Sequence, residues 1–154
     1  KQKTAYEISL GLVGSEMCIR DRLIILPQKF AKEITDHAIK EYPNECCGIL
    51  AGTKNQFLQL FRMTNVESSP YRFSWDPKEL FKAWNTMEDN QWEHRAVYHS
   101  HTHSQAYPSD TDVRLAAWPD AFYLIISLAD KENPVIRIFQ ILDGKISEKR
   151  MITQ

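Results

Sequence analysis

The sequence predicts an α+β fold, a mixed and mainly antiparallel sheet flanked by helices, and three observations lead to it. Two stretches, Gln28–Tyr42 and Asp76–Trp92, carry apolar residues at helical spacing. The rest of the chain from Leu23 onward holds several short apolar runs of strand length, bounded by turn or polar segments. Two of the intervals, Thr53–Asn55 and Asp143-Gly144, are short enough to join neighbouring strands as hairpins, which makes the pairing mainly antiparallel.

The elements follow in order. Leu23–Leu26 is a short strand closed by Pro27. Gln28–Tyr42 is a helix with Phe30, Ile34, Ala38 and Ile39 on its apolar face, and Pro43 ends it. Glu45–Gly52 leads into a strand that pairs with Gln56–Met63. Asn65–Ser74 reads as loop. Asp76-Pro77 supplies an N-cap and a proline in the first turn, so a helix runs to about Trp92 with Leu80, Phe81, Trp84 and Met87 on one face. Arg95–His99 is a strand, Ser100–Ser109 a polar loop, and Asp110–Trp118 a short helix stopped by Pro119. Ala121–Leu128, Val135–Leu142 and Lys145–Ile152 complete the sheet.

The 154 residues suit one domain, and 43% hydrophobic with 25% charged residues is ordinary for a globular protein. A chain of this size needs no disulfide or structural metal to fold. A formal charge of −1 gives no reason to expect nucleic acid or an anionic membrane as partner. The apolar runs fall well short of the ~20 residues that span a bilayer as a helix.

Lys1–Arg22 stands apart from the fold. Lys1–Ile8 and Leu12–Arg22 read as in-frame translations of two adapters used in short-read sequencing, separated by Ser9–Gly11 where an index would lie. Residues 1–22 are therefore expected to be a non-native segment and residues 23–154 the domain. Without the first segment the chain carries 15 basic and 17 acidic side chains, and the cysteines reduce to Cys46 and Cys47. Adjacent cysteines do not readily bridge each other, so no disulfide framework exists and a reducing, cytoplasmic setting is expected.

The chemistry concentrates in Tyr98–Asp112. His99 and His101 lie two apart at a strand end, so their imidazoles project to one side. Two imidazoles with one carboxylate and an open fourth position make a catalytic zinc site, and these ligand types suit zinc. The same spacing also fits two surface histidines. Ser109-x-x-Asp112 also matches a helix-capping box, which needs no catalysis. Both readings hold together, because a cap fixes where Asp112 points.

His99-Ser100-His101, seven residues, then Ser109-x-x-Asp112, with Glu45-x-Cys47-Gly48 upstream, resembles the signature of the JAMM (JAB/MPN) metallopeptidases, over essentially all of residues 23–154. The resemblance is closest to the short bacterial single-domain members that process sulfur-carrier proteins. It implies an MPN/JAB-like, cytidine-deaminase-like α-β-α arrangement. It also implies one zinc ion on His99, His101 and Asp112, Glu45 as the base for the attacking water, and Ser109 as oxyanion donor. Ser100 is expected to brace the loop and Cys47 to be a small buried residue. His103 is excluded as a ligand because its matching position holds Arg114. It, His37 and His94 are assigned to the surface.

The implied reaction is hydrolysis of a peptide or isopeptide-type bond after the Gly-Gly tail of a ubiquitin-like or sulfur-carrier protein. Two other readings stay open: a metal-free interaction module on the same fold, and a small-molecule amidohydrolase with the same zinc centre.

Overall fold

The computed structural model describes residues 23–154, so the adapter reading of Lys1–Arg22 lies outside the described residues. The elements are β1 (Ile24–Leu26), α1 (Gln28–Glu41), β2 (Cys47–Thr53), β3 (Gln56–Met63), α2 (Pro77–Asp89) and β4 (Glu93–His101). They continue with α3 (Asp110–Arg114), β5 (Phe122–Ser127), β6 (Val135–Leu142), β7 (Lys145–Lys149) and β8 (Met151–Thr153). Six strands form one sheet in the order β3-β2-β4-β5-β6-β7. Every neighbouring pair is antiparallel except β4 with β5.

The alternation of side chains along β4 builds the two faces of the domain. Ala96 and Tyr98 join the core under α1, with Phe30, Ile34, Ala38, Leu50, Leu124 and Ile126. Val97 faces the other way, towards Phe73, Trp75, Val113 and Trp118. On that second face Cys47, Ile49 and Ala51 of β2 pack against Ala83 and Met87 of α2. Because β4 and β5 are parallel, the chain between them must cross over the sheet, and this crossover carries α3.

Glycine is required at position 48. Gly48 pairs directly with Tyr98, and a Cβ there would overlap the Tyr98 ring and the Phe61 carbonyl oxygen. The ring lies over the space that the missing side chain leaves.

Several expectations are corrected by the structure. Lys145–Ile152 is not one strand: β7 stops at Lys149, and β8 turns away to pair in parallel with β1 as a separate two-stranded sheet. The apolar stripe of α1 is Phe30, Ile34, His37 and Ala38, whereas Ile39 is 51% exposed. Those four positions follow the i, i+4, i+7, i+8 spacing of a single face, and Ile39 lies one residue round from it. His37 is thus buried, and its Nδ1 shares a 2.8 Å hydrogen bond with the Tyr98 hydroxyl. On α2 the buried face is Leu80, Ala83 and Met87, and Phe81 is 69% exposed. The third helix ends at Arg114 rather than Trp118.

The surface assignment of His94 is corrected as well. The β2–β4 register shifts so that Leu50 pairs with Ala96 but Ala51 pairs with His94. That irregularity at Arg95 reverses the side-chain parity. It turns His94 onto the α2 face, where Trp75, Trp84 and Trp118 surround it at ring-centroid distances of 6.3, 5.3 and 4.8 Å. Burial lowers its pKa to about 4.

Candidate metal centre

The C-terminal end of β4 presents His99 and His101 on the α2 face, two residues along from Val97. Both imidazoles are buried. The crossover then brings α3 above them. Its N-cap is Ser109, whose Oγ accepts the Asp112 N–H at 3.1 Å while Asp112 Oδ2 accepts the Ser109 N–H at 2.9 Å. This reciprocal capping box aims the Asp112 carboxylate at the histidines. Asp112 Oδ2 lies 3.2 Å from His99 Nε2 and 3.0 Å from His101 Nε2, and the two Nε2 atoms are 3.2 Å apart.

Three donor atoms in a near-equilateral triangle of this size fit one small cation. Tetrahedral zinc with bonds of about 2.0–2.1 Å separates its ligand atoms by about 3.3–3.4 Å. The donor chemistry agrees. His101 Nδ1 is 2.8 Å from the Gln105 carbonyl oxygen, so Nδ1 carries the proton and donates, leaving the Nε2 lone pair facing the triangle. That lone pair meets the lone pairs of Asp112 Oδ2, an arrangement that needs a proton or a cation between them. The protonation behaviour expresses the same need. Burial opposes charge on both groups. The Asp112 carboxylate and the Gln105 carbonyl nevertheless raise the pKa of His101, and the His101 and His99 hydrogen bonds hold Asp112 well below the ordinary carboxylate range. A cation would satisfy both, so the residues present fit a zinc ion.

Glu45 lies just before β2, two residues ahead of Cys47, and Cys47 pairs with His99. Its side chain is buried, and its Oε1 has no hydrogen-bond partner among the described residues. Burial pushes its pKa up to about 8, with His101 lowering and Asp112 raising it. A carboxyl group near neutrality is suited to taking up and returning a proton. Ser109 is exposed, and because its Oγ uses a lone pair for the Asp112 N–H, its own proton is free to donate.

The other sequence-predicted residues fall as follows. Ser100 accepts the Cys46 N–H at 2.8 Å, bracing the segment that leads into β2 against β4. Cys46 and Cys47 are buried free thiols. Burial pushes Cys46 up to about 12 and Cys47 higher, so neither is a nucleophile at neutral pH. His103 is exposed in the loop after β4, as expected. A cavity of about 180 Å³ adjoins His99 and Asp112, walled by Phe73, Trp75, Val97 and Trp118.

Sequence reasoning missed three participants. Phe73 stacks on the His99 ring at 4.9 Å and 26°. The Gln105 carbonyl fixes the His101 tautomer. Asn65 holds the backbone of Glu45. Phe73 and Asn65 lie in a stretch with no periodicity, and a carbonyl has no residue signature, so no pattern could have marked them.

The sequence profile of the prokaryotic homologs of the JAB domain matches residues 27–142. The chain is 36% identical over 129 residues to the CysO-cysteine peptidase of Mycobacterium tuberculosis, covering 82% of this chain and 88% of that one. It is 30% identical over 133 residues to a desampylase of Pyrococcus furiosus, covering 85% and 91%. A protein of Desulfitobacterium hafniense with a known solution structure superposes with a TM-score of 0.77 at 36% identity, over 86% of this chain and 93% of that one.

Proposed function

The chain belongs to the prokaryotic homologs of the JAB domain, and from that premise we propose that it is a zinc-dependent peptidase acting on conjugates of a ubiquitin-like or sulfur-carrier protein. The bond cleaved is a peptide or isopeptide-type amide after a Gly-Gly tail. The names of the relatives, a CysO-cysteine peptidase and a desampylase, support the substrate class. The observation that carries the zinc reading is the triangle of His99 Nε2, His101 Nε2 and Asp112 Oδ2 with sides of 3.0–3.2 Å.

In this reading His99, His101 and Asp112 hold the metal. Zinc, when bound, supplies Lewis acidity, polarising the scissile carbonyl and acidifying water. Glu45 takes the proton of the attacking water on a carboxylate oxygen and returns it to the leaving amine. The Ser109 hydroxyl donates a hydrogen bond to the developing oxyanion. The Gln105 carbonyl keeps His101 in the tautomer that offers Nε2. The working domain is residues 23–154. Among the described residues no helix is long and apolar enough to cross a membrane.

Zinc content per chain, beside that of Asp112→Ala, tests this reading. One zinc in the parent and a large loss in the variant is the expected result. A parent that takes up no zinc after chelator-free purification and reloading refutes it and favours the metal-free interaction module.

A further inference from the structure

The stretch from Asn65 to Trp75 has no regular structure beyond a single bridge between its ends, yet it is tied to the candidate site at four points. The Glu45 N–H donates to the Ser69 carbonyl at 2.9 Å. The Glu45 carbonyl accepts from Asn65 Nδ2 at 3.0 Å. The Thr102 hydroxyl, one residue after His101, donates to the Pro70 carbonyl at 3.1 Å. Phe73 lies flat on the His99 ring. A loop tied to two site residues, Glu45 and His99, and to the neighbour of a third acts on their positions.

Asn65 organises that loop. Its second Nδ2 proton goes to the Arg72 carbonyl at 3.0 Å, and its Oδ1 accepts the N–H groups of Glu67 and Ser74 at 3.0 and 3.1 Å. An amide side chain has two donor protons and two acceptor lone pairs, and Asn65 uses all four. The partners fix its orientation, since exchanging oxygen and nitrogen would set donors against donors and acceptors against acceptors. The residue is buried, so each lost bond leaves a desolvated polar group behind. No other side-chain type combines two donors and two acceptors at this reach.

We propose that Asn65 is a positioning residue for the reaction, tying the 66–74 loop to the Glu45 backbone so that the loop holds Glu45 and, through Phe73, the His99 ring. This rests on the peptidase reading above for its kinetic arm. Its structural arm does not.

The discriminating variant is Asn65→Asp. It keeps the shape and both acceptor contacts but removes the donors to Glu45 and Arg72. On the zinc-loaded protein, amide hydrogen exchange at Glu45 is expected to rise at least about tenfold while amides of the β4–β5 pairing keep their protection. With a sulfur-carrier protein bearing cysteine on its C-terminal glycine as substrate, kcat is expected to fall about 10- to 100-fold, the usual cost of losing a group that orients a metal-site residue, with KM changed little. Unchanged Glu45 exchange, or unchanged kcat per folded, zinc-loaded molecule, overturns the proposal. If Asn65→Asp does not fold, Phe73→Leu takes its place: a lower kcat at constant KM supports the role of the loop, and parental kcat refutes it. If the parent cleaves nothing, the peptidase reading fails, and the exchange arm still decides the role of Asn65.

Discussion

Acid should weaken this fold through His37, a residue of α1 on the opposite face of the sheet from the candidate site. His37 is 5% exposed on the inner face of α1, and burial, helped by Arg62 and Lys40, lowers its pKa from 6.5 to about 4. The unfolded chain therefore binds a proton before the folded one does. Above pH 6.5 both forms are neutral and the full stability is present; as pH falls, stability is lost progressively until both are charged below pH 4. With 1.36 kcal/mol per pKa unit, the loss is about 2 kcal/mol at pH 5 and about 3 kcal/mol at pH 4. His94, Glu45, His101 and Asp112 also have shifted pKa values, so the clean measurement is a difference. Urea unfolding of the parent and His37→Gln, followed from pH 7.5 to 4, should show the stability gap moving by that amount in favour of the variant. A gap independent of pH would refute the reasoning, because it would mean that burial does not disfavour the charged imidazole.

The remaining predictions concern the site and the domain boundary. Glu45→Gln should abolish most hydrolysis while zinc content stays at one per chain; retained turnover would remove Glu45 from the base role. Ser109→Ala should cost about 10²- to 10³-fold in kcat with little change in KM, measured on a Gly-Gly-linked substrate, although it also removes the acceptor for the Asp112 N–H, so zinc content must be checked beside it. Deleting residues 1–22 should leave the melting temperature and zinc uptake unchanged; a drop in either would show that the segment contributes to the domain.

Most of the sheet was legible because its strands announce themselves locally: Gln56–Met63 and Val135–Leu142 begin and end where apolar pattern and turn residues place them. Non-local decisions were not legible. Nothing in Lys145–Ile152 tells that its end pairs with Ile24–Leu26 at the other end of the domain instead of extending the hairpin. His37 was hidden for a different reason. It sits at a helix position that periodicity assigns to the core, but a titratable residue type argued for the surface, and position prevailed because Tyr98 supplies a hydrogen-bond partner. His94 needed knowledge of a register shift, which depends on two strands together. That His99 and His101 share one side, and that Ser109 and Asp112 cap a helix, was readable from spacing, because a strand and a capping box are both short-range devices; that the two come together in one group came from the resemblance. Asn65 and Phe73 act through a loop folded back on the site, which no spacing rule describes.

The pairing of Gly48 with Tyr98 works as a notch and a key. Successive residues of β4 serve opposite masters, Tyr98 and Ser100 on the α1 side, His99 and His101 on the other. A slip of one residue would bury both imidazoles in the apolar layer and throw Tyr98 out of it. The aromatic ring seats at Gly48, where β2 lacks a side chain, and the residues on either side, Cys47 and Ile49, offer no such space to a strand slipped by one residue. Misregistered chains are thereby penalised by steric shape alone. A one-residue insertion or deletion within β4 should then be far more damaging than one of the same size between Lys131 and Pro134, where the chain merely turns between strands.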